Sequence, residues 1–404
     1  MDSFDTAAEA RAFLRDIVDM RIPDEREIID GRIALTASTL ELDNGRFTNV
    51  YDINYREGEA TPAVHLHDQL TSVYDFLKGK ATHGAATGGG FFYLVDKASG
   101  APRQLALNLA MQNGNVHSLP VADREAVISQ SNNLSAMRLQ ALGLLSINGR
   151  ELSWSGSLTD HETDVKVFGN GNAVIQHEQN EATGSIRVLD ERSRFTPDMQ
   201  SGDMVDVGFI ARNDGSFAGG GISTKGNLDI FAHDFVLRYP DRYLADNTVL
   251  QLHTIGSLAL DSGVEGALTA GPMLETTNFI NHPINQDASL GSRPPFLEKP
   301  FACMVLYKTE NGMVHLRLFD GRPGSETFPG VTPGEAVKLI EAEGAIEWGC
   351  FLDSGQTAKL CVSTPKNITS RGNAHYFKWA TQPHEKYIWK PGYGRPAATA
   401  ITLH

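Results

Sequence analysis

The segment EWGCFLD runs as an apolar strand into SGQT, so Asp353 stands where a strand ends and a tight turn begins, with its carboxylate projecting from the turn. A carboxylate so placed can act as nucleophile or as general acid/base. It can equally do no more than accept the N–H groups of its own turn, and local sequence leaves the two readings level. His65 and His67 in AVHLHDQL are two apart, which on a strand puts both rings on one face, with Asp68 adjacent. A divalent metal is one use for such a pair. A metal site takes a third ligand that the sequence does not identify, so two histidines hydrogen-bonding near a strand end is the weightier reading. Other motifs fail on spacing. His161-Glu162, His177-Glu178 and His384-Glu385 each begin like a zinc-protease signature, yet none has a histidine four residues after the first. No G-x-S-x-G surrounds a serine, no Walker lysine follows a glycine run, and GNGNAV at 169 lacks the third glycine of a dinucleotide site. The stretch AGGGISTKG (218 to 226) reads as a loop rather than a phosphate cradle.

The elements that must position these residues are mostly strands. Beyond residue 30, short β-branched and aromatic runs are broken by Asn-Gly and Asp-Gly turns, as in LDNGRF, INGREL and RNDGSF. One internal helix is clear in TPGEAVKLIEAEG: Thr332 caps it, Pro333 takes the first helical position, Glu335 completes a capping box, and Gly344 suits the stop. A strand, Ala345 to Leu352, follows it. At the N-terminus Ala10, Phe13, Leu14, Ile17 and Val18 keep helical spacing, Thr6 with Glu9 forms a capping box, and Pro23 ends the run. This amphipathic helix packs on the main body or on a second subunit, which makes a homo-oligomer one expectation. The chain divides into an N-terminal helical extension (1–30) and a single domain (31–404). The expected class is α+β, a strand-rich mixed body with few helices.

Composition narrows the partners. The 404 residues are 41% hydrophobic and 21% charged, ordinary for a globular protein, and the formal net charge of −14 would repel a polyphosphate backbone. Without a basic cluster to override it, nucleic acid is excluded. No window approaches eighteen consecutive apolar residues, and the N-terminus alternates acids and bases where a signal peptide needs a basic start and an apolar run, so neither a membrane span nor export is expected and the compartment reads as cytoplasmic. Cys303, Cys350 and Cys361 are an odd count without CxxC spacing, which fits reduced, buried thiols. The expected partner is a small-molecule substrate.

The helix, strand and turn GVTPGEAVKLIEAEGAIEWGCFLDSGQTAKL resemble the signature of the phosphodiester glycosidase family, in which a G-x-T-x-x-E-x-A helix ends at Gly-Ala and a strand leads into L-D-G-G-G-S. Five further segments follow in family order. AATGGGFFYL (85 to 94) is similar to N-G-G-F-F, and ALGLLSINGREL (141 to 152) to a glycine followed by an Asn-Gly turn. LTAGPMLETTN (268 to 278) resembles A-G-P-x-L, LFDGRPGSETFPG (318 to 330) resembles D-G-R with a following serine and glycine, and GRPAATAITL (394 to 403) resembles the closing R-P-x-x-N-x-L strand. The resemblance spans residues 80 to 403.

It implies a strand-rich phosphodiester-glycosidase body and hydrolysis of a sugar joined through its anomeric oxygen to a phosphodiester or nucleotide. Asp353 is then the catalytic carboxylate, with Glu275 and Asp320 as candidates for the second. Arg322 and Arg395 would bind phosphate oxygens. Thr87, Gly88, Gly89, Gly271, Pro272, Ser354, Gly355, Gln356 and Thr357 would shape the substrate site, and no cofactor is implied beyond a divalent metal at His65 and His67. The departures are pointed. Ser354 and Gln356 replace glycines, Thr357 a serine, Thr87 and Thr399 asparagines, and the family's R-P-R arginines are missing from EKPFACMVL. Side chains added beside Gly355 suit a different ligand. Two alternatives therefore stand beside the hydrolase: a recruited enzyme of the same fold acting on a natural-product or other small-molecule intermediate, and a non-catalytic sugar- or phosphate-binding protein.

Overall fold

A computed structural model of the chain describes residues 2–6, 8–9, 12–13, 21–29, 31–80, 84–92, 103–172, 175–180, 184–189, 194–199, 202–274, 299–322, 325–364, 367–372, 378–380, 386–389 and 396–404. Four sheets build the body. Sheet 1 has six strands in the order Glu25–Ile29, Ile33–Glu41, Phe47–Arg56, Met313–Asp320, Cys303–Thr309, Ile346–Phe351. Sheet 2 has five: Ile368–Arg371, Leu360–Ser363, Gly84–Gly88, Ala397–Leu403, Pro62–Thr71. Sheet 3 also has five, Asn133–Leu139, Arg124–Gln130, Val264–Thr269, Ala110–Gln112 and Asn115–Ser118. Sheet 4 is seven-stranded, from Phe217–Ser223 at one edge through Met204–Ala211, Phe235–Pro240, Val165–Phe168, Arg150–Gly156 and Leu142–Ile147 to Leu250–Leu252 at the other.

Alternation along the strands decides which face meets which. In MVHLRLFD, Val314, Leu316 and Leu318 point into a core shared with Ala85, Leu360 and Ile401 of sheet 2 and Val127 and Leu268 of sheet 3. The opposite face of sheet 1 carries Val305, Phe319 and Phe351, covered by Ala336 and Ile340 of α2 (Pro333–Glu341). Sheet 3 turns its other face, with Met111, Ile128 and Ala267, onto Trp154, Val207 and Leu237 of sheet 4. A short helix, α1 (Val73–Lys78), lays Val73 and Leu77 over Ala86 and Cys361 on the far side of sheet 2. Each fully buried large apolar side chain contributes about 1.5–3 kcal/mol, so these interfaces, not the helices, hold the molecule together.

The class is therefore mostly β and not the expected α+β. Among the described residues there are thirty strands against two α-helices of six and nine residues and the helical positions 8–9 and 12–13 of the expected N-terminal helix. The reason lies in the connections. Asn113-Gly114, Ser131-Asn132 and Asn148-Gly149 all have positive φ at both central positions, the backbone of two-residue hairpins, so neighbouring strands join directly and need no crossover helix. At the N-terminus the Thr6–Glu9 capping box forms, with Glu9 N–H on Thr6 Oγ1 and Thr6 N–H on a Glu9 carboxylate oxygen. Strands flank it. Asp2–Phe4 pairs with Lys386–Trp389, and Glu25–Ile29 is an edge of sheet 1. The glycine run read as a loop is the edge strand Phe217–Ser223, because Gly220 and Gly221 press against the His233 ring, where a Cβ would come within 2.7 and 3.2 Å. α2 has its reciprocal Thr332–Glu335 box and Pro333 at its start, and the strand after it runs Ile346–Phe351. All three cysteines are buried free thiols. Among the described residues no helix is long and apolar enough to cross a membrane.

Candidate active site at a junction of three sheets

Asp353 lies where the chain leaves sheet 1 for sheet 2. After Ile346–Phe351 ends, residues 352–359 cross to the strand Leu360–Ser363, and the 3-10 turn Gly355–Thr357 sits in that crossing. The Asp353 N–H donates to the Gly89 carbonyl at 3.1 Å, tying the turn to the end of the central strands of sheet 2. The Gly271 N–H donates to the Phe351 carbonyl at 2.8 Å, and the Phe351 N–H to the Pro272 carbonyl at 3.0 Å, tying the end of sheet 3 to the same place. Three sheets thus meet around one carboxylate.

The carboxylate is half-buried and held at both oxygens: Oδ1 accepts the Ser354 N–H at 3.1 Å and Oδ2 the Thr357 hydroxyl at 2.8 Å. Ser354, which the sequence left available for a ligand, is occupied by the backbone. Its hydroxyl donates to the Leu352 carbonyl at 2.9 Å and accepts the Met304 N–H at 3.1 Å. Gly355 has φ +71° and nothing within 4 Å of a would-be Cβ, so conformation, not crowding, requires glycine there, and its flank is open. The neighbouring glycines are different. A Cβ on Gly89 would stand 2.7 Å from Leu268 Cδ1 and one on Gly90 2.2 Å from the Thr269 carbonyl, so protein already fills the space beside them. Gly88 and Gly271 are less tight, at 3.3 Å from the Thr357 carbonyl and 3.0 Å from that of Phe351.

Thr87 is fully buried between Leu360 and Ile401, and its hydroxyl has no hydrogen-bond partner among the described residues. Thr399 is likewise buried and its hydroxyl donates to the Gly90 carbonyl at 3.3 Å. Asp320 and Arg322 come to the same end of sheet 1. Phe319 pairs with Cys303, so Asp320 falls across from Ala302, whose carbonyl accepts the Gly355 N–H at 2.8 Å. The Asp320 carboxylate accepts the Gly321 N–H at 2.9 Å, and Arg322 closes the following turn through its N–H on Phe328. Arg322 Nη1 is buried without a hydrogen-bond partner among the described residues. Glu275 and Arg395 lie outside the described residues, as does the side chain of Gln356.

His65 and His67 share a face, as their spacing requires, but that face is packed under α1. Their ring centroids are 4.9 and 4.7 Å from that of Phe76, and His65 Nε2 is 2.8 Å from Thr402 Oγ1. Burial, and then the Lys80 ammonium, holds both imidazoles down at a pKa of about 4. Among the described residues no three His, Cys, Asp or Glu side chains converge as a metal site would need.

Sequence reasoning missed three charged residues here. Lys359, two residues beyond Thr357, is buried, donates to the Gly372 carbonyl, and has its pKa lowered by burial against the opposing pull of Cys361 and Asp320. Arg124 and Glu125 are buried at the start of their strand in sheet 3. The available signal was an adjacent pair of charges leading into the apolar run Ala126–Ile128. Two clefts of about 530 and 650 Å³ lie elsewhere, one beside the end of α2 and one past the ends of the strands Arg150–Gly156 and Val165–Phe168 in the middle of sheet 4, and Asp353 lines neither.

No protein-family model matches the chain. No curated protein matches it either. Among solved structures, a hypothetical protein from Synechocystis is similar at a TM-score of 0.56 and 13% identity, over 95% of this chain and 64% of that one. The likeness is one of fold, and this chain spans less than two thirds of that protein's length. The catalytic domain of zebrafish N-acetylglucosamine-1-phosphodiester alpha-N-acetylglucosaminidase, auto-inhibited by its pro-peptide, aligns over 96% of this chain and 92% of that domain at a TM-score of 0.41 and 12% identity. That likeness is too slight to carry an activity across.

Proposed function

We propose that this chain is a hydrolase that cleaves the glycosidic bond of a sugar joined through its anomeric oxygen to a phosphodiester, with Asp353 as the carboxylate at the anomeric carbon. One observation carries the reading: three segments that resemble the phosphodiester glycosidases, far apart in sequence, meet around that carboxylate through the hydrogen bonds Asp353 to Gly89 and Gly271 to Phe351. The Ser354 N–H and the Thr357 hydroxyl orient the Asp353 carboxylate, and a carboxylate held by such donors suits a nucleophile or electrostatic stabiliser facing a developing oxocarbenium centre. Asp320 reaches the same end of sheet 1 and stands as the candidate second carboxylate, to protonate the leaving oxygen. The open flank of Gly355 gives a sugar ring room beside the turn.

Purified protein incubated with a panel of sugar 1-phosphodiesters and nucleotide sugars, with and without divalent metal, should release free sugar. Asp353→Asn should lower the rate by about 10²–10⁴-fold, the usual contribution of a positioned catalytic group. Well-folded wild type that releases nothing from any member of the panel would sink the reading.

A further inference from the structure

The larger of the two clefts, about 650 Å³, opens where neighbouring strands of sheet 4 end. Arg150–Gly156 runs out into Ser157 and Leu158, and Val165–Phe168 into the 3-10 turn Asn170–Asn172. The facing wall is the segment from Phe195 to Asp198, with Asn227 beside it. Both walls are fixed by bonds of their own. The Asn172 carboxamide accepts the Gly169 N–H at 2.9 Å and donates to the Ser157 hydroxyl at 2.8 Å. Opposite, the Thr196 hydroxyl donates to the buried Asp206 carboxylate at 2.6 Å, and the Asn227 N–H returns to the Thr196 carbonyl at 2.9 Å. What the walls present is mixed. The apolar part includes Leu158, 57% exposed, and the half-buried Phe195. The Asp198 carboxylate and the Asn227 carboxamide are exposed and have no hydrogen-bond partner among the described residues. Among those residues no lysine or arginine lines the cleft. The two guanidiniums nearby are neutralised, Arg238 by Asp206 at 2.7 Å and Arg194 by Asp229 at 2.9 Å.

We propose that this cleft binds a neutral sugar, with Asp198 and Asn227 on its hydroxyls and Leu158 and Phe195 against its C–H face. The chemistry of the lining selects that class. A carboxylate accepts from hydroxyls, a carboxamide both donates and accepts, and a sugar hydroxyl does both as well, so the pair can satisfy adjacent hydroxyls without any net charge on the ligand. A phosphorylated or sulfated ligand would meet the Asp198 charge with no cation in the lining to offset it. A wholly apolar ligand would strip water from Asp198 and Asn227 and return no hydrogen bond. The volume falls in the usual range for small-molecule sites, which pair apolar walls with a few placed polar groups. Because the bonds within each wall are already made, little ordering remains to oppose binding.

The inference stands apart from the hydrolase reading, since it concerns binding at a place that Asp353 does not line. The full chain titrated with glucose, galactose, mannose, N-acetylglucosamine, maltose and cellobiose, followed by saturation-transfer NMR, should show saturable binding of at least one. Asp198→Ala should weaken that binding about 10- to 100-fold, as for a hydrogen bond to a charged group, and Asn227→Gly about 3- to 10-fold, as for a neutral one. Both side chains are exposed, and glycine keeps the φ of +59° at position 227, so the melting temperature of each variant should match wild type. Asp353→Asn should bind the same sugar as wild type does. Three results overturn the proposal: no neutral sugar binds; binding is unchanged in both cleft variants, or is lost in Asp353→Asn, which would put the sugar elsewhere; or glucosamine binds through Asp198 while no neutral sugar does, which would make the cleft a cation site.

Discussion

At the residue scale the site rests on small groups with single tasks. Thr357 donates its hydroxyl to Asp353 Oδ2 at 2.8 Å, with the Ser354 carbonyl 3.0 Å away. Thr357→Val keeps the volume and removes the donor, so the carboxylate loses one of the groups that orient it. If Asp353 is catalytic, kcat should fall about 10-fold with little change in KM, and stability by about 1 kcal/mol; an unchanged kcat would make the bond merely structural. The glycines separate by a different measurement. Gly90→Ala drives a methyl to within 2.2 Å of the Thr269 carbonyl and should cost about 3 kcal/mol or more in urea denaturation. Gly355→Ala meets open space and bears only the strain of φ +71°, about 1 kcal/mol. Equal losses would mean that the two glycines serve one purpose.

At the element scale, α2 seals the outer face of sheet 1 just before the strand that delivers Asp353. Its first turn is held by the Thr332–Glu335 box, and Arg46 reaches across to Glu335 at 2.5 Å. Thr332→Ala should cost about 1 kcal/mol of global stability, read from the denaturation midpoint, and leave the Asp353 turn intact. This unit was legible in sequence because every signal in it is local: cap, helix, stop, strand and turn lie within thirty residues or so. Thr332, Pro333, Glu335 and the strand behave as their types dictate. Arg124 was not legible, since nothing near it announces that its strand ends beside Gly271, some 150 residues away in sequence. The run Ala218–Gly221 misled for a related reason. Glycine has poor strand propensity, and only the His233 ring against that edge makes a bare backbone the fitting choice. The class departs from α+β because tight hairpins at Asn113, Ser131 and Asn148 join strands directly and leave no place for crossover helices.

At the scale of the whole molecule, charge buried between layers sets the response to acid. His65 and His67 titrate near pH 4 in the fold, lowered first by burial and then by Lys80, against an ordinary value of 6.5. Between those values the unfolded chain binds more protons, so this stability is whole above about pH 6.5 and is lost as pH falls through 4. Asp52 follows. Burial opposes its ionisation, but Arg317 and His315 outweigh burial and hold it at about 2, so its contribution is present above 3.8 and disappears as pH falls through 2. The urea midpoint should therefore decline between pH 6.5 and 4, and a His65→Gln, His67→Gln double variant should decline less; identical slopes would show that the pair is not responsible. Sheet 2 adds a constraint of another kind. Its strand Ala397–Leu403 is lodged between Gly84–Gly88 and Pro62–Thr71. On the ribosome, those earlier strands emerge more than three hundred residues before the one that joins them, and through most of synthesis they expose two unsatisfied edges. The junction around Asp353 is completed only when that late strand arrives, so the nascent chain remains without a finished site, and in need of protection from aggregation, until translation has passed residue 400.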